Sequence, residues 1–145
     1  MSYPDRAYRW VAPSHLARLL EGQAVRILDV RESSQSASSA PCVPGAIHAS
    51  ASELLGKSCL LLFAFRMAEL GVGDEHAIVV YDEDGSGPAL DVARMLVERG
   101  HAATWALAGG FRAWSASGLL AVRRWSTYPP ASFTARVLEE ARRAS

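Results

Sequence analysis

The stretch Ala77-Ile78-Val79-Val80-Tyr81-Asp82-Glu83-Asp84-Gly85-Ser86-Gly87-Pro88 constrains this chain more than any other. Its apolar, β-branched start is too short for a helix and reads as a buried strand. An acidic loop follows. Pro88 suits the first position of a helix, where its missing N–H would have no partner in any case. Beyond it Ala89, Val92, Ala93 and Leu96 recur on one face, Asp91, Arg94, Glu98 and Arg99 lie off it, and Gly100 supplies a stop. A strand, a tight loop and a helix N-terminus together define an α/β unit, and such loops collect backbone amides and a helix dipole at one point. Here the loop holds three carboxylates and no thiol or basic group.

The remaining segments extend the same alternation. Trp10-Val11 reads as a short edge strand, and Pro13-Ser14 opens a helix with Leu16, Leu19 and Leu20 on one face, ending at Glu21-Gly22. Val25 to Val30 is apolar enough for a central parallel strand. Glu32 to Pro44, rich in Ser and Ala, reads as a loop; Pro44-Gly45 marks a turn, and Ala46-Ile47-His48 a third strand. A helix is expected from about Cys59 to Leu70, closed by Gly71 and Gly73. Thr104 to Leu107 is a strand, Gly109-Gly110 a left-handed or crowded turn, and Phe111 to Ala116 a short helix. After Leu120 the chain turns polar, with a connector from Arg123 to Ala131 and a solvent-facing helix expected over Thr134 to Arg143. The organisation is a tail (1–8), one domain (9–120) and a C-terminal connector with a short helix (121–145). The fold class is α/β, a parallel central sheet flanked by helices on both faces.

With 145 residues the chain can bury one real core. Acidic and basic residues balance at 15 each, so no net field favours nucleic acid or an anionic membrane. The apolar run Leu60 to Phe65 is far short of a membrane span, and the N-terminus has no signal-peptide pattern, which makes a cytoplasmic protein the expectation. Cys42 and Cys59 have no metal spacing, and His15, His48, His76 and His101 are scattered, so neither a metal nor a cofactor is expected.

Four motifs in order, Leu28-Asp29-Val30-Arg31-Glu32, Val43-Pro44-Gly45-Ala46-Ile47-His48, Val79-Val80-Tyr81-Asp82 and Leu107-Ala108-Gly109-Gly110-Phe111-Arg112-Ala113-Trp114, together resemble the rhodanese-like (thiosulfate sulfurtransferase) domain family. The resemblance covers roughly residues 9–120 and implies a rhodanese-like α/β fold. In active members a cysteine ends the central strand, opens a C-x-x-x-x-R loop and carries the transferred sulfur as a persulfide. By that resemblance Asp82 stands at the cysteine's place and Gly87 at the arginine's. The loop Asp82, Glu83, Asp84, Gly85, Ser86, Gly87 is then a vestigial active-site loop and the candidate ligand site, with no confident catalytic residue. Asp29, Arg31, Gly45, Gly109, Gly110 and Trp114 are structural motif positions, and Asp29 and Arg31 at the strand end are expected to bond loop backbone or each other. A carboxylate cannot form a persulfide, and it repels an anionic substrate. Each carboxylate ~4 Å from an anion opposes it by roughly 1 kcal/mol in water and about 4 kcal/mol near a protein surface. A helix terminus returns only ~0.3–1 kcal/mol. The segment Trp125 to Ala135, with Tyr128-Pro129-Pro130-Ala131-Ser132-Phe133-Thr134, resembles the connector after the non-catalytic first half of two-domain sulfurtransferases.

The expected function is therefore that of a catalytically inactive rhodanese-like domain acting in binding, in regulation or as half of a sulfurtransferase assembly, with a protein or second rhodanese domain as partner. One alternative is an active sulfurtransferase using Cys42 or a partner's cysteine. Another is a Mg-dependent phosphatase, because Asp82-Glu83-Asp84-Gly85-Ser86 after an apolar strand also looks like the first motif of haloacid-dehalogenase-type phosphatases. The only lysine, Lys57, precedes that motif, whereas such enzymes need one after it. The same loop reads D-x-D-x-S-G, the start of a calcium loop, but its twelfth position is Ala93 instead of a bidentate Glu.

Overall fold

A computed structural model of the chain describes residues 9–21, 25–32, 41–57, 59–73 and 75–123. The expected tail, most of the connector and the Thr134 to Arg143 helix lie outside the described residues.

The elements run β1 (Arg9–Val11), α1 (Pro13–Leu19), β2 (Val25–Asp29), β3 (Pro41–Cys42), β4 (Ile47–His48), α2 (Ala51–Leu55), α3 (Leu60–Glu69), β5 (Ala77–Tyr81), α4 (Pro88–Glu98), β6 (Thr104–Leu107), α5 (Gly110–Ala116) and β7 (Val122–Arg123). Five strands form a parallel sheet in the order β1-β6-β5-β2-β4, which puts β5 at its centre and β1 at an edge. In register, Asp29 of β2 lies beside Tyr81 of β5, so both strands end at one edge of the sheet.

Successive residues of a strand face opposite sides. Ile78 and Val80 of β5 and Leu28 of β2 therefore pack with Phe63, Met67, Val92 and Leu96, below the layer of α2, α3 and α4. Val79, Tyr81 and Ile27 pack with Leu16, Phe111 and Trp114, below α1 and α5. Helices on both faces explain why β5 reads as a continuous apolar run and β2 as a mostly apolar one. Trp114 is buried, and its indole Nε1–H donates to Leu120 O at 2.8 Å, which satisfies the polar end of a core side chain.

Three local elements differ from the reading of the sequence. The segment read as loop from Glu32 to Pro44 contains β3, and the chain after Leu120 contains β7; the two pair antiparallel, Pro41 with Arg123 and Cys42 with Val122. Two-residue strands carry no periodicity of their own, so only their distant partner defines them. Helix α2 was also absent from that reading. Ser50 caps it, its hydroxyl accepting from Glu53 N at 3.2 Å, and Ser50-Ala51-Ser52-Glu53 is a capping-box sequence that would have revealed it.

Candidate functional site

The site is built where β5 ends and α4 begins. Asp82 leaves the strand with its side chain buried, 4% exposed. One carboxylate oxygen, Oδ1, accepts the Gly85 N–H, and the other, Oδ2, accepts the Ala89 N–H at 3.0 Å. Ala89 lies in the first turn of α4, where amides have no partner inside the helix. Gly87, the residue at the N-cap, has no side chain to offer, so Asp82 supplies the cap from five residues upstream. A loop of this kind can take one of two forms, an open shallow pocket at the helix N-terminus or a carboxylate turned in upon its own amides. The second is observed.

The rest of the loop is held from beneath by α5. Phe111 N donates to Asp82 O and Arg112 N to Glu83 O, both at 2.9 Å. This approach requires Gly109 and Gly110. Both have positive φ, 75° and 64°, and a Cβ on Gly110 would sit 2.6 Å from Asp82 O and 2.7 Å from Gly85 N. The left-handed, crowded turn expected at the paired glycines is thus present, and the crowding is against the acidic loop itself. Gly85, at φ 80°, is the reciprocal contact. Gly45, also at φ 80°, turns the chain into β4, with Ala46 N donating to Val43 O at 3.0 Å.

Beside the loop lies a buried polar cluster. Arg31 and Asp29 are 3% and 0% exposed. Arg31 Nε and Nη2 donate to the Asp29 carboxylate at 3.0 and 2.8 Å, Nη2 also to Pro41 O at 2.9 Å, and Nη1 to Glu83 Oε1 at 3.3 Å. The guanidinium lies over the Phe111 ring, 4.7 Å from its centroid. Burial alone would lower the Arg31 pKa, but the hydrogen bond and charge of Asp29 outweigh it and hold the group further above its ordinary value. The sequence reading of Asp29 and Arg31 as partners of each other and of loop backbone matches this geometry.

Tyr81 is the member of the cluster that sequence reasoning missed. Its hydroxyl donates to Asp29 Oδ2 at 3.0 Å and accepts Val43 N–H at 3.2 Å, tying β5 to the Pro44-Gly45 turn. Burial first, and the Asp29 charge second, push its pKa well above the usual phenol value. Inside an apolar strand run it looked like one more core side chain, and nothing local marks its partner 52 residues away.

The two outer carboxylates have separate tasks. Glu83 is bound to Arg31, as above. Asp84 is exposed; its Oδ1 accepts Ser86 Oγ–H at 2.6 Å and Ser86 N–H at 3.1 Å, and these bonds hold its pKa below the ordinary carboxylate value. Asp82 and Asp84 thus make separate bonds and do not converge on a common point. Among the described residues no group of three or more His, Cys, Asp or Glu is arranged to hold a metal ion. No described helix is long and apolar enough to cross a membrane.

Neither cysteine lies in the loop. Cys42, in β3, is buried at 3% exposure among core side chains. Cys59 is exposed at the N-cap of α3, where the amides of Leu62 and then Leu61 lower its pKa.

The family model for the rhodanese-like domain matches residues 12–117. No curated protein matches the chain by sequence. Among solved structures it is similar to a 3-mercaptopyruvate sulfotransferase of Escherichia coli, with TM-score 0.74 and 24% identity, covering 84% of this chain and 54% of that one. The chain thus spans about half the length of that enzyme. A rhodanese-related protein from Thermoplasma volcanium gives TM-score 0.60 and 19% identity over 81% of this chain and 100% of that one. A Saccharomyces cerevisiae homologue of single-domain rhodanese and the Cdc25 phosphatase catalytic domain gives TM-score 0.60 and 16% identity over 80% and 86%. At these identities the likeness establishes a common fold.

Proposed function

We propose that this chain, which belongs to the rhodanese-like domain family, is a non-catalytic member of it that acts in binding, in regulation or as half of a sulfurtransferase assembly. The observation that carries this reading is the Asp82 carboxylate. It stands at the end of the central strand, where we place the persulfide-forming cysteine of active members, and each of its oxygens already accepts a backbone amide. Amides that would otherwise face an anionic substrate are occupied by an anion belonging to the chain. A carboxylate has no sulfur chemistry to offer in return. The same bonds weigh against Asp82 as a phosphoryl nucleophile, since attack would require it to leave the loop amides. Burial of Cys42 weighs against transfer through that thiol, because reactive cysteines are partly exposed in electropositive surroundings. As part of the same proposal the domain works in the cytoplasm, where cysteines such as Cys42 and Cys59 stay reduced.

The test is release of thiocyanate from thiosulfate and cyanide, comparing wild type with a Cys42→Ala, Cys59→Ala double variant. Neither protein is expected to exceed the uncatalysed background. Activity in the wild type that disappears in the double variant would overturn the reading and assign the sulfur to a relocated thiol. Alkylation of the native protein by iodoacetamide should modify Cys59 alone, with Cys42 reacting only after denaturation.

A further inference from the structure

Helix α3 is apolar on both sides. Phe63 and Met67 face the core, as an amphipathic helix requires. The opposite face, which should then be polar, carries Leu61, Leu62 and Phe65 at 65%, 58% and 62% exposure, flanked by Leu60 at 66% and by Leu55 of α2 at 42%. A cluster of large apolar side chains left exposed on a helix's outer face marks a surface that a partner covers. At these exposures the four α3 side chains, neighbours on one helix, and Leu55 together leave about 500 Å² of apolar surface exposed, within the range of the larger patches a monomer shows.

We infer that this face is a self-association surface, and that its occupant is the same face of a second copy of this chain, with the two α3 helices antiparallel across a two-fold axis. Three observations favour a second copy. The first is area. Two such faces together remove about 1,000 Å² of apolar surface before any rim is counted, close to the ~1,200 Å² at which specific interfaces begin. The second is charge at the ends of the helix. Lys57 lies just ahead of the Cys59 N-cap, and Glu69, 68% exposed, ends the helix. Glu69 thus sits at the negative pole of its own helix dipole, where a carboxylate is disfavoured. An antiparallel second copy brings Lys57 and a positive helix end to each Glu69, so that the surface complements itself as an isologous contact must. The third is overall charge. The chain carries a formal net charge of zero, so two copies meet without collective repulsion. Arg66 is no obstacle, being already paired with Glu53 and Glu69 beside the patch.

The experiment is sedimentation equilibrium of the full chain across the micromolar range, with circular dichroism to confirm that every variant is folded. Wild type should associate as a dimer. Leu61→Glu combined with Phe65→Glu should weaken the dimer by about 100-fold or more, because two apolar anchors become charges at the centre of the contact. Lys57→Glu and Glu69→Lys should each weaken it roughly 3- to 10-fold, and the two together should restore it, which only an antiparallel pairing does. A wild type that stays monomeric at every concentration would overturn the inference. So would a dimer that survives the Leu61, Phe65 variant, or co-sedimentation of monomeric wild type with neutral phosphatidylcholine vesicles. None of these results depends on whether the domain transfers sulfur.

Discussion

Arg31 shows how much one buried side chain can coordinate. Its donors reach Asp29 in β2, Pro41 O in β3 and Glu83 in the acidic loop, while its plane covers Phe111 of α5. Four parts of the molecule therefore meet at one planar cation. Arg31→Ala would leave the Asp29 carboxylate buried without its counter-charge, a change that destabilises by about 3–5 kcal/mol. Arg31→Lys should recover less than half of that, since one ammonium cannot reproduce the fork that serves both carboxylate oxygens. Urea denaturation of the two variants measures both values. A loss below about 1 kcal/mol for the alanine variant would mean that Asp29 is solvated once the guanidinium is gone.

Among the elements, the decisive contact is the one between the acidic loop and the start of α5. Two N–H bonds and two glycines bring the helix against the loop backbone, so the loop is clamped from below by α5 and from within by Asp82. Glycine is required at some of these positions and incidental at others. Gly110→Ala combines a left-handed backbone with a collision against Asp82 O, Asp84 N and Gly85 N, and should destabilise by about 3 kcal/mol or more. Gly87→Ala, at φ −123° with no atom within 4 Å of the added methyl, should change stability by less than about 0.5 kcal/mol. Denaturant midpoints of the pair would decide the matter, and equal losses would refute the clamp. Because the clamp and the carboxylate fix the loop together, Asp82 is part of the architecture of α4 as well as the occupant of the candidate site.

The buried cluster of Asp29, Arg31 and Tyr81 links the centre of the sheet to the turn before β4, and through Tyr81 it makes stability depend on alkaline pH. An unfolded phenol loses its proton near pH 10. Folded Tyr81 keeps its proton to higher pH, through burial and the Asp29 charge. Above about pH 10 the unfolded state thus binds fewer protons than the folded one, and stability falls as pH rises. Tyr81's contribution is complete below the unfolded value and is lost as pH climbs through the folded one. Wild type should therefore be the more stable of wild type and Tyr81→Phe at pH 8, and the gap should narrow steadily above pH 10. A gap independent of pH would show that the phenol titrates alike in both states. Local sequence was enough for the order of the five strands of the parallel sheet and of α1, α3, α4 and α5, for the central place of Ala77 to Tyr81, for the fold class and for the glycine turn at Gly109-Gly110. All of these follow from local periodicity and from backbone conformations that few residues adopt. The partnership of Asp29 with Arg31 was legible too, since two residues are close whatever the fold. The remaining contacts arise from packing between distant segments. Tyr81 meets Asp29, and Arg31 meets Glu83, across 52 residues each. β3 and β7 exist solely because they pair. Whether Asp82 faces solvent or its own loop depends on how closely α4 and α5 approach the end of β5. Such contacts are set by sheet register and helix packing, and these bring together residues whose local sequence holds no record of each other.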